Sequence, residues 1–150
     1  MDEQFMDLAL EQARRAEKAG EVPVGAVIVD ANGNVVAHGF NQPISTHDPT
    51  AHAEIVAMRA AARTISNYRL TGLTLYCTME PCVMCAGAIV HARIQRLVYG
   101  AADARAGATG SIYNVVSDSR LNHQVNIVAG IREAECRELV QSFFERKRNL

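Results

Sequence analysis

The sequence predicts an α/β fold: a three-layer α/β/α sandwich built on a mixed sheet of about five strands. Two observations lead to this class. Helical segments and short β-rich runs follow one another in the order helix, hairpin, helix, strand, helix, strand, strand, helix, and 49% of the 150 residues are hydrophobic. A chain of this length supports one core, so we expect residues 1–150 to form a single domain.

A helix and a hairpin open the chain. Over residues 5–18 polar side chains recur at helical spacing opposite small and apolar ones, which predicts an amphipathic helix. Residues 24–30 and 34–40 are rich in valine, and the Asn32-Gly33 pair between them favours a tight reversal. We therefore predict a β-hairpin after the first helix.

The second helix is announced by a capping signal. Asp48-Pro49 has the pattern of an N-cap followed by proline at the first helical position, which predicts a helix from there to about Arg63. Apolar side chains occupy almost every face of this segment, and Glu54 stands among them as its only acidic residue between 51 and 62. Both sides of this helix must therefore be covered.

Strands and helices alternate through the second half of the chain. We predict a strand at 73–77, a helix at 82–92, a strand at 95–99, a Gly- and Ala-rich loop at 100–110, a strand at 125–129 and a helix from about Arg132. The helix at 82–92 contains no Asp, Glu, Lys or Arg. We therefore expect it to form the floor of a binding site and to contact a second subunit. The last helix has one apolar stripe that we expect to pack on the core, formed by Cys136, Leu139, Val140, Phe143 and Phe144.

Composition and charge exclude several classes of protein. The formal net charge is −1, so a nucleic-acid partner would need a local basic patch. The acidic start of the chain does not resemble a secretory signal, and no uncharged apolar stretch is long enough to cross a bilayer. We therefore expect a cytoplasmic protein without membrane contact, in which the 4 cysteines form no disulfide framework.

Cys82 and Cys85 form a Cys-x-x-Cys pair after Pro81, at the predicted start of a helix. Both sulfurs project to one side of the first turn, where unpaired backbone N–H groups favour thiolates. Such a pair fits a redox dithiol, half of a structural zinc site or part of a catalytic metal site. The second pair of cysteines or histidines typical of a structural site is not visible, because Cys77 and Cys136 fit buried apolar positions.

His52 and Glu54 complete a candidate catalytic site. A histidine near a helix start is by itself more often a satisfied polar residue than a ligand, but this one is followed by a carboxylate that needs a reason to be buried. With Cys82 and Cys85 it supplies three ligands, which leave a tetrahedral zinc one open position for water, with Glu54 as the adjacent base. The other histidines are expected to be structural or superficial: His38, His47, His91 and His123.

These motifs resemble those of a known family. His52-Ala53-Glu54 and Pro81-Cys82-Val83-Met84-Cys85 match the H-x-E and P-C-x-x-C signature of the zinc-dependent cytidine/deoxycytidylate deaminase superfamily. Within it, the chain is most similar to the bacterial tRNA-specific adenosine deaminases. The similarity covers nearly the whole chain, in blocks at residues 21–27, 41, 47–54, 80–88, 100–111 and 143–144.

The resemblance implies a cytidine deaminase-like fold and one zinc ion per subunit, held by His52, Cys82 and Cys85. It also implies hydrolytic deamination of adenosine to inosine at the wobble position of tRNA, with release of ammonia. In that reaction zinc-activated hydroxide adds to C6 of a flipped-out adenine, and Glu54 moves the protons.

Partners and substrate contacts are implied as well: a homodimer that binds the anticodon stem-loop of a tRNA. The expected substrate-binding residues are Asn41, Ala53, Asp103, Phe144, Lys147 and Arg148, with Arg146 beside them and Asp103 on a ribose hydroxyl. Residue chemistry leaves other roles open. Asn41 can end a strand, Asp103 can begin a turn, and a cationic helix end suits the helix dipole.

Two alternative functions stay open at the level of sequence. A deaminase of free cytosine, guanine or nucleosides would use the same metal site without a basic last helix. A non-catalytic, zinc-stabilised binding module would keep the metal but would not depend on Glu54. Ala104-Arg105-Ala106 departs from the Lys-Thr that relatives often carry there, which affects the expected phosphate contacts and not the reaction.

Overall fold

The computed structural model describes residues 1–149 and has a mixed five-stranded sheet between two layers of helices, which confirms the three-layer class. The helices are α1 (Asp2–Lys18), α2 (Pro43–Thr46), α3 (Ala53–Ile65), α4 (Val83–Ala92) and α5 (Glu133–Arg148). The strands are β1 (Gly25–Val29), β2 (Val35–Phe40), β3 (Thr74–Met79), β4 (Arg96–Ala101) and β5 (Asn126–Ala129). Within residues 1–149, no helix combines the length and hydropathy needed to cross a membrane.

The strand order β2-β1-β3-β4-β5 gathers several chain segments at one end of the sheet. β1 is antiparallel to β2 and β3, whereas β3, β4 and β5 run parallel. The carboxyl ends of β2, β3 and β4 therefore share one end of the sheet, where Asn41, Glu80 and Asp103 follow them. α4 begins at the same end, because it directly follows β3. Ligand sites in α/β proteins form at such strand ends.

Side chains along the strands alternate between two hydrophobic cores. Ile28 and Leu97 face the core covered by α3 and α4, whereas Val98 faces the core covered by α1 and α5. Cys77 is buried in the first core and Cys136 in the second, as the sequence predicts. All four cysteines are free in the structure.

The predicted helix start at Asp48-Pro49 is wrong. α3 begins only at Ala53, and His52 is its N-cap in an extended conformation, with φ −70° and ψ 154°. Asp48 closes a turn instead of capping a helix. Its Oδ1 atom accepts hydrogen bonds from the backbone N–H and the hydroxyl of Thr50, at 2.9 and 2.7 Å.

The short helix α2 was not predicted, and a distant carboxylate explains it. Glu21 is 1% exposed and accepts hydrogen bonds from the N–H of Ile44 at 3.3 Å, the N–H of Ser45 at 2.7 Å and the Ser45 hydroxyl at 2.8 Å. Glu21 thus accepts hydrogen bonds from two N–H groups in the first turn of α2, which have no acceptor within the helix.

The hairpin and the remaining elements lie within a few residues of their predicted bounds. The hairpin turn is closed by Asp30, whose Oδ1 accepts the N–H groups of Asn32 and Asn34, both at 2.9 Å. Gly33 has φ 83°, the left-handed conformation that favours glycine. α4 begins one residue later than predicted, because Cys82 is its N-cap.

Candidate active site

Three metal-ligating side chains converge where α3 and α4 begin. His52 is the N-cap of α3, Cys82 is the N-cap of α4, and Cys85 lies one turn further along α4. The His52 Nδ1 atom is 3.5 Å from the Cys82 Sγ and 3.5 Å from the Cys85 Sγ. The structure thus brings together all three ligands that the sequence predicts, with Nδ1 as the imidazole donor.

The donor set and its spacing fit a zinc ion. Tetrahedral bonds of about 2.3 Å to sulfur and about 2.0 Å to nitrogen place the donor atoms about 3.5 Å apart. The three donor atoms here lie within 4.8 Å of one another, and both sulfurs are at 3.5 Å from the nitrogen. Two sulfurs and one imidazole are typical zinc ligands, and three protein ligands are typical of catalytic rather than structural zinc.

The three ligands shift one another's pKa values. A hydrogen bond from Cys85 is the main reason that the pKa of Cys82 is lowered to about 3, and His52 adds to the effect. The hydrogen bond with Cys82 in turn raises the pKa of Cys85 and that of His52. The neighbouring thiol and imidazole thus favour the thiolate form of Cys82, which is the form in which cysteine binds a metal ion.

Glu54 lies in the first turn of α3, two residues after His52, and is 4% exposed. Burial is the main cause that raises the pKa of its carboxyl group. The side chain borders the same cavity as His52 and Cys82. A carboxyl group whose pKa is shifted toward neutrality can both accept and donate a proton, which suits it to general acid–base catalysis.

A cavity of about 250 Å³ opens over these residues. Three residues that the sequence resemblance implies as substrate contacts line it from different parts of the chain: Asn41, Asp103 and Phe144. Ala53 is not brought to the cavity wall. It is fully buried, and its backbone N–H donates to the Oδ1 atom of Asn41 at 2.9 Å.

A larger groove of about 700 Å³ lies between residues 102–105 and α5, and shares Asp103 and Phe144 with the cavity. The expectation that Phe144 packs in the core is wrong, because its side chain is 44% exposed while Phe143 is buried. α5 packs on β3 and β4, and its residues between Arg137 and Arg148 line the groove opposite residues 102–105, which follow β4. Phe144 therefore meets the cavity instead of the sheet.

The basic end of α5 is divided among three environments. Arg148 lines the groove. The Lys147 Nζ atom lies 5.5 Å from the centre of the Phe143 ring, and Arg146 forms an ion pair with Glu17 at 2.5 Å. Of these three cations, only Arg148 reaches the groove wall.

Sequence reasoning missed several residues of the cavity. The apolar part of its wall is formed by Val22, Val24, Met79, Ala106 and Val140. Glu80 also lines the cavity and is 3% exposed. Burial alone would raise the pKa of Glu80. The hydrogen bonds from Ser111, Asp103 and Thr109 have the larger combined effect, so the pKa of Glu80 is below its ordinary value. The available signal was the one that revealed Glu54: an acidic residue beside an otherwise apolar segment.

The fold and the site together define a class of enzyme. A three-layer sandwich in which one helix start carries His-x-Glu and another carries Pro-Cys-x-x-Cys is the arrangement of the zinc-dependent nucleobase deaminases. In agreement with this class, the family model of the cytidine and deoxycytidylate deaminase zinc-binding region matches residues 1–101.

Relatives that match almost the whole chain identify the family within this class of deaminases. The chain is 50% identical over 147 residues to a tRNA-specific adenosine deaminase of Haemophilus influenzae, spanning 98% of this chain and 85% of that one. It is 41% identical to a tRNA-specific adenosine deaminase of Bacillus subtilis strain 168, over 98% of this chain and 91% of that one. A solved structure from a study of A-to-I editing by tRNA:A34 deaminases superimposes with a TM-score of 0.87 at 44% identity, over 91% of this chain and 98% of that one. The chain belongs to the family of tRNA-specific adenosine deaminases.

Proposed function

We propose that this chain hydrolyses adenosine to inosine at the wobble position of tRNA. The observation that carries the proposal is the cavity in which Glu54 lies beside His52 and Cys82. The relatives named as tRNA-specific adenosine deaminases match almost the whole chain, which supports the same substrate class.

His52, Cys82 and Cys85 would hold the zinc ion, because their three donor atoms have the identity and spacing that zinc requires. When bound, the ion supplies Lewis acidity that lowers the pKa of a water molecule. The N-caps of α3 and α4 form no side-chain capping hydrogen bond, so His52 and Cys82 remain available as ligands.

Glu54 would move the protons of the reaction. Water adds to C6 of adenine and ammonia leaves, so one proton of the water must reach the ring nitrogen N1 and another must reach the departing amine. Glu54 can accept each proton from the water oxygen and deliver it, because its pKa is raised chiefly by burial and its side chain borders the cavity. This role requires no second acidic residue.

The cavity and the groove suggest how the nucleotide lies. A cavity of about 250 Å³ suits a single base, whereas the adjoining groove of about 700 Å³ can take the neighbouring sugar and phosphate. Asn41 lines the cavity, Phe144 offers an exposed ring for stacking, and Arg148 lies along the groove for a phosphate. We therefore propose that the tRNA binds through its anticodon stem-loop, with the target base flipped out of the loop and into the cavity.

A homodimer in the cytoplasm completes the proposal. Val83 on α4 is 55% exposed, and Ile112 and Tyr113 are 51% and 54% exposed; we infer that these apolar side chains contribute to the dimer interface. Light scattering at micromolar concentration should give twice the chain mass, and Val83→Asp should lower it. A wild-type mass of one chain would overturn the dimer. The cytoplasmic assignment follows from the proposed tRNA substrate.

The decisive experiment offers an anticodon stem-loop and free bases in parallel to the zinc-loaded protein. We expect inosine at the wobble position and ammonia in equal amounts from the stem-loop. Ammonia from free guanine or cytosine, with the stem-loop unchanged, would replace the proposal by the free-base activity. Bound zinc without turnover of any substrate would favour the binding module.

A further inference from the structure

Glu80 is a buried carboxylate for which neither metal binding nor proton transfer provides a role. It directly follows β3 and is 3% exposed. Its oxygens accept four hydrogen bonds, all from the segment 102–111: the N–H of Asp103 at 3.0 Å, the N–H of Thr109 at 3.0 Å, the N–H of Ser111 at 3.1 Å and the Ser111 hydroxyl. The segment is therefore folded around one side chain.

These four bonds hold both ends of the segment. Asp103 stands at its beginning, and Thr109 and Ser111 stand at its end. The middle of the segment also lies against Glu80, because a Cβ atom added at Gly107 would overlap the Glu80 carboxylate. The carboxylate cannot swing away to make room, since its hydrogen bonds fix both oxygens.

The segment 102–111 forms part of the active-site wall. Asp103 and Ala106 line the cavity together with His52 and Glu54. The Asp103 Oδ1 atom accepts the N–H groups of Arg105 and Ala106 at 3.0 and 3.2 Å, so the turn that presents Ala106 depends on where Asp103 is held. Glu80 sets that position through the Asp103 N–H.

Other contacts do not replace Glu80. The N–H of Ala108 donates to the carbonyl of Pro81 at 2.8 Å, which anchors only one point of the segment. A buried N–H without an acceptor costs about 1 to 3 kcal/mol, so a segment that loses its shared acceptor gains by opening to water. Opening would carry Asp103 and Ala106 away from the cavity.

We propose that Glu80 is a positioning residue, which holds the segment 102–111 against the cavity so that Asp103 and Ala106 complete the wall facing the target nucleotide. The inference rests on the proposed function for the identity of the substrate. The hydrogen bonds, the burial of Glu80 and the close approach of Gly107 support it independently of the substrate.

The first test is Glu80→Gln in the zinc-loaded protein. An amide keeps the size of the side chain but turns one acceptor oxygen into a donor that faces N–H groups. We expect KM for the anticodon stem-loop to rise about tenfold, which corresponds to the loss of about 1.4 kcal/mol of binding, and kcat to change less than about threefold. The bound zinc should stay at the wild-type content.

A second variant approaches the same contact from the segment. Gly107→Ala leaves Glu80 itself unchanged, but the added methyl group would overlap its fixed carboxylate, so the segment must shift away from Glu80 and we expect the same rise in KM. Ser111→Ala removes only the hydroxyl bond and should have a smaller effect. Glu11→Gln is the matched control, because it makes the same change at an exposed position on α1 and should leave KM and kcat unchanged.

Hydrogen exchange separates a positioning role from a general loss of structure. We expect faster amide exchange at Asp103, Thr109 and Ser111 in Glu80→Gln, with unchanged exchange in β3 and α4. Unchanged exchange in the segment, or loss of zinc together with a fall in kcat, would overturn the proposal. The exchange measurement needs no RNA, so it still decides the role of Glu80 if the wild type fails to deaminate the stem-loop and the proposed function fails.

Discussion

Glu21, Glu54 and Glu80 are all less than 5% exposed and all lie near the active site, with exposed fractions of 1%, 4% and 3%. The hydrogen bonds that these three carboxylates accept distinguish their roles. Backbone N–H groups and serine hydroxyls bind Glu21 and Glu80, and these bonds lower both pKa values although burial acts in the opposite direction. The pKa of Glu54 is raised by burial. A buried carboxylate held by N–H donors fixes a loop, whereas one with a raised pKa beside a cavity can exchange protons.

Glu54→Gln tests this distinction at the level of one residue. The amide has nearly the same size but cannot accept a proton, so we expect kcat for the stem-loop to fall about 10² to 10⁴-fold while the zinc content stays at the wild-type value. Inosine formation and metal analysis on the same preparation provide the measurement. An active Glu54→Gln protein would exclude Glu54 as the proton carrier.

At the scale of elements, the position of the active site is set by the N-terminal ends of α3 and α4 and by one close contact between α3 and β2. α3 approaches β2 closely because Gly39 has no side chain: a Cβ there would lie 2.7 Å from the backbone nitrogen of Ala57 and 2.8 Å from the carbonyl oxygen of Ala53. His52 and Glu54 lie at the N-terminal end of α3, next to this contact. The absence of a side chain at Gly39 therefore determines how far His52 and Glu54 are buried.

Gly39→Ala should therefore affect both the fold and the site. Overpacking against a helix backbone lowers the free energy of unfolding by about 1 to 3 kcal/mol, and displacement of α3 should reduce kcat as well. Urea unfolding and stem-loop kinetics measure the two effects. His38→Ala, at an exposed position on the same strand, is the control and should change neither. Wild-type stability of Gly39→Ala would contradict the close approach of α3.

α1 is tied to the sheet by a charged contact. The Asp2 carboxylate accepts hydrogen bonds from Arg96 at 2.9 and 2.6 Å and from the Tyr76 hydroxyl at 2.7 Å. The contact with Arg96 is the main cause that lowers the pKa of Asp2 to about 2. A depressed folded-state pKa gives stability that is present above the ordinary pKa of Asp and is lost as pH falls through about 2.

Asp2→Asn should thus destabilise the protein in a pH-dependent way. Because solvent screens part of the contact, we expect a loss of about 1 kcal/mol at pH 7, which shrinks as pH falls below about 4. Urea unfolding at a series of pH values measures this difference. Asp7→Asn removes an exposed ion pair with Arg132 and should cost less than about 0.5 kcal/mol. A pH-independent loss in Asp2→Asn would show that its charge is irrelevant.

At the scale of the whole molecule, a chain with a net charge of −1 must bind a polyanion through a local surface. The groove beside α5 offers such a surface. Three arginines line it, Arg105, Arg137 and Arg148, against two acidic residues, Asp103 and Glu145. Arg137 is paired with Glu133, which leaves Arg105 and Arg148 as the groove cations for a phosphate, and of these Arg148 lies on the last turn of α5.

Arg148→Ala should weaken stem-loop binding, and the loss should depend on salt. Removal of one phosphate contact lowers the slope of log affinity against log salt concentration by about one. Titration at several salt concentrations measures the slope. Arg63→Ala, at the opposite end of α3 from the site, is the matched control because it also removes a cation from a last helical turn. An unchanged slope in Arg148→Ala would remove this residue from the RNA interface.

Local chemistry was enough to predict much of this protein from its sequence. The order of helices and strands follows from the periodicity of apolar residues, which depends only on neighbouring positions. His52, Cys82 and Cys85 could be identified as ligands because together, and not singly, they supply the three donors of a catalytic zinc site and match a family signature, and Glu54 because a carboxylate in an apolar helix needs a function.

Only the tertiary structure decided where distant segments meet. The start of α3 was mispredicted because Asp48 accepts hydrogen bonds from Thr50 in a turn, while Asn41, twelve residues before Ala53, accepts the N–H of Ala53 where the helix actually begins. Phe144 was expected in the core, and only the packing of α5 beside residues 102–105 places it at the cavity. The role of Glu80 depends on a segment more than twenty residues further along the chain. Contacts between segments far apart in sequence leave no periodic pattern, so no local rule reports them.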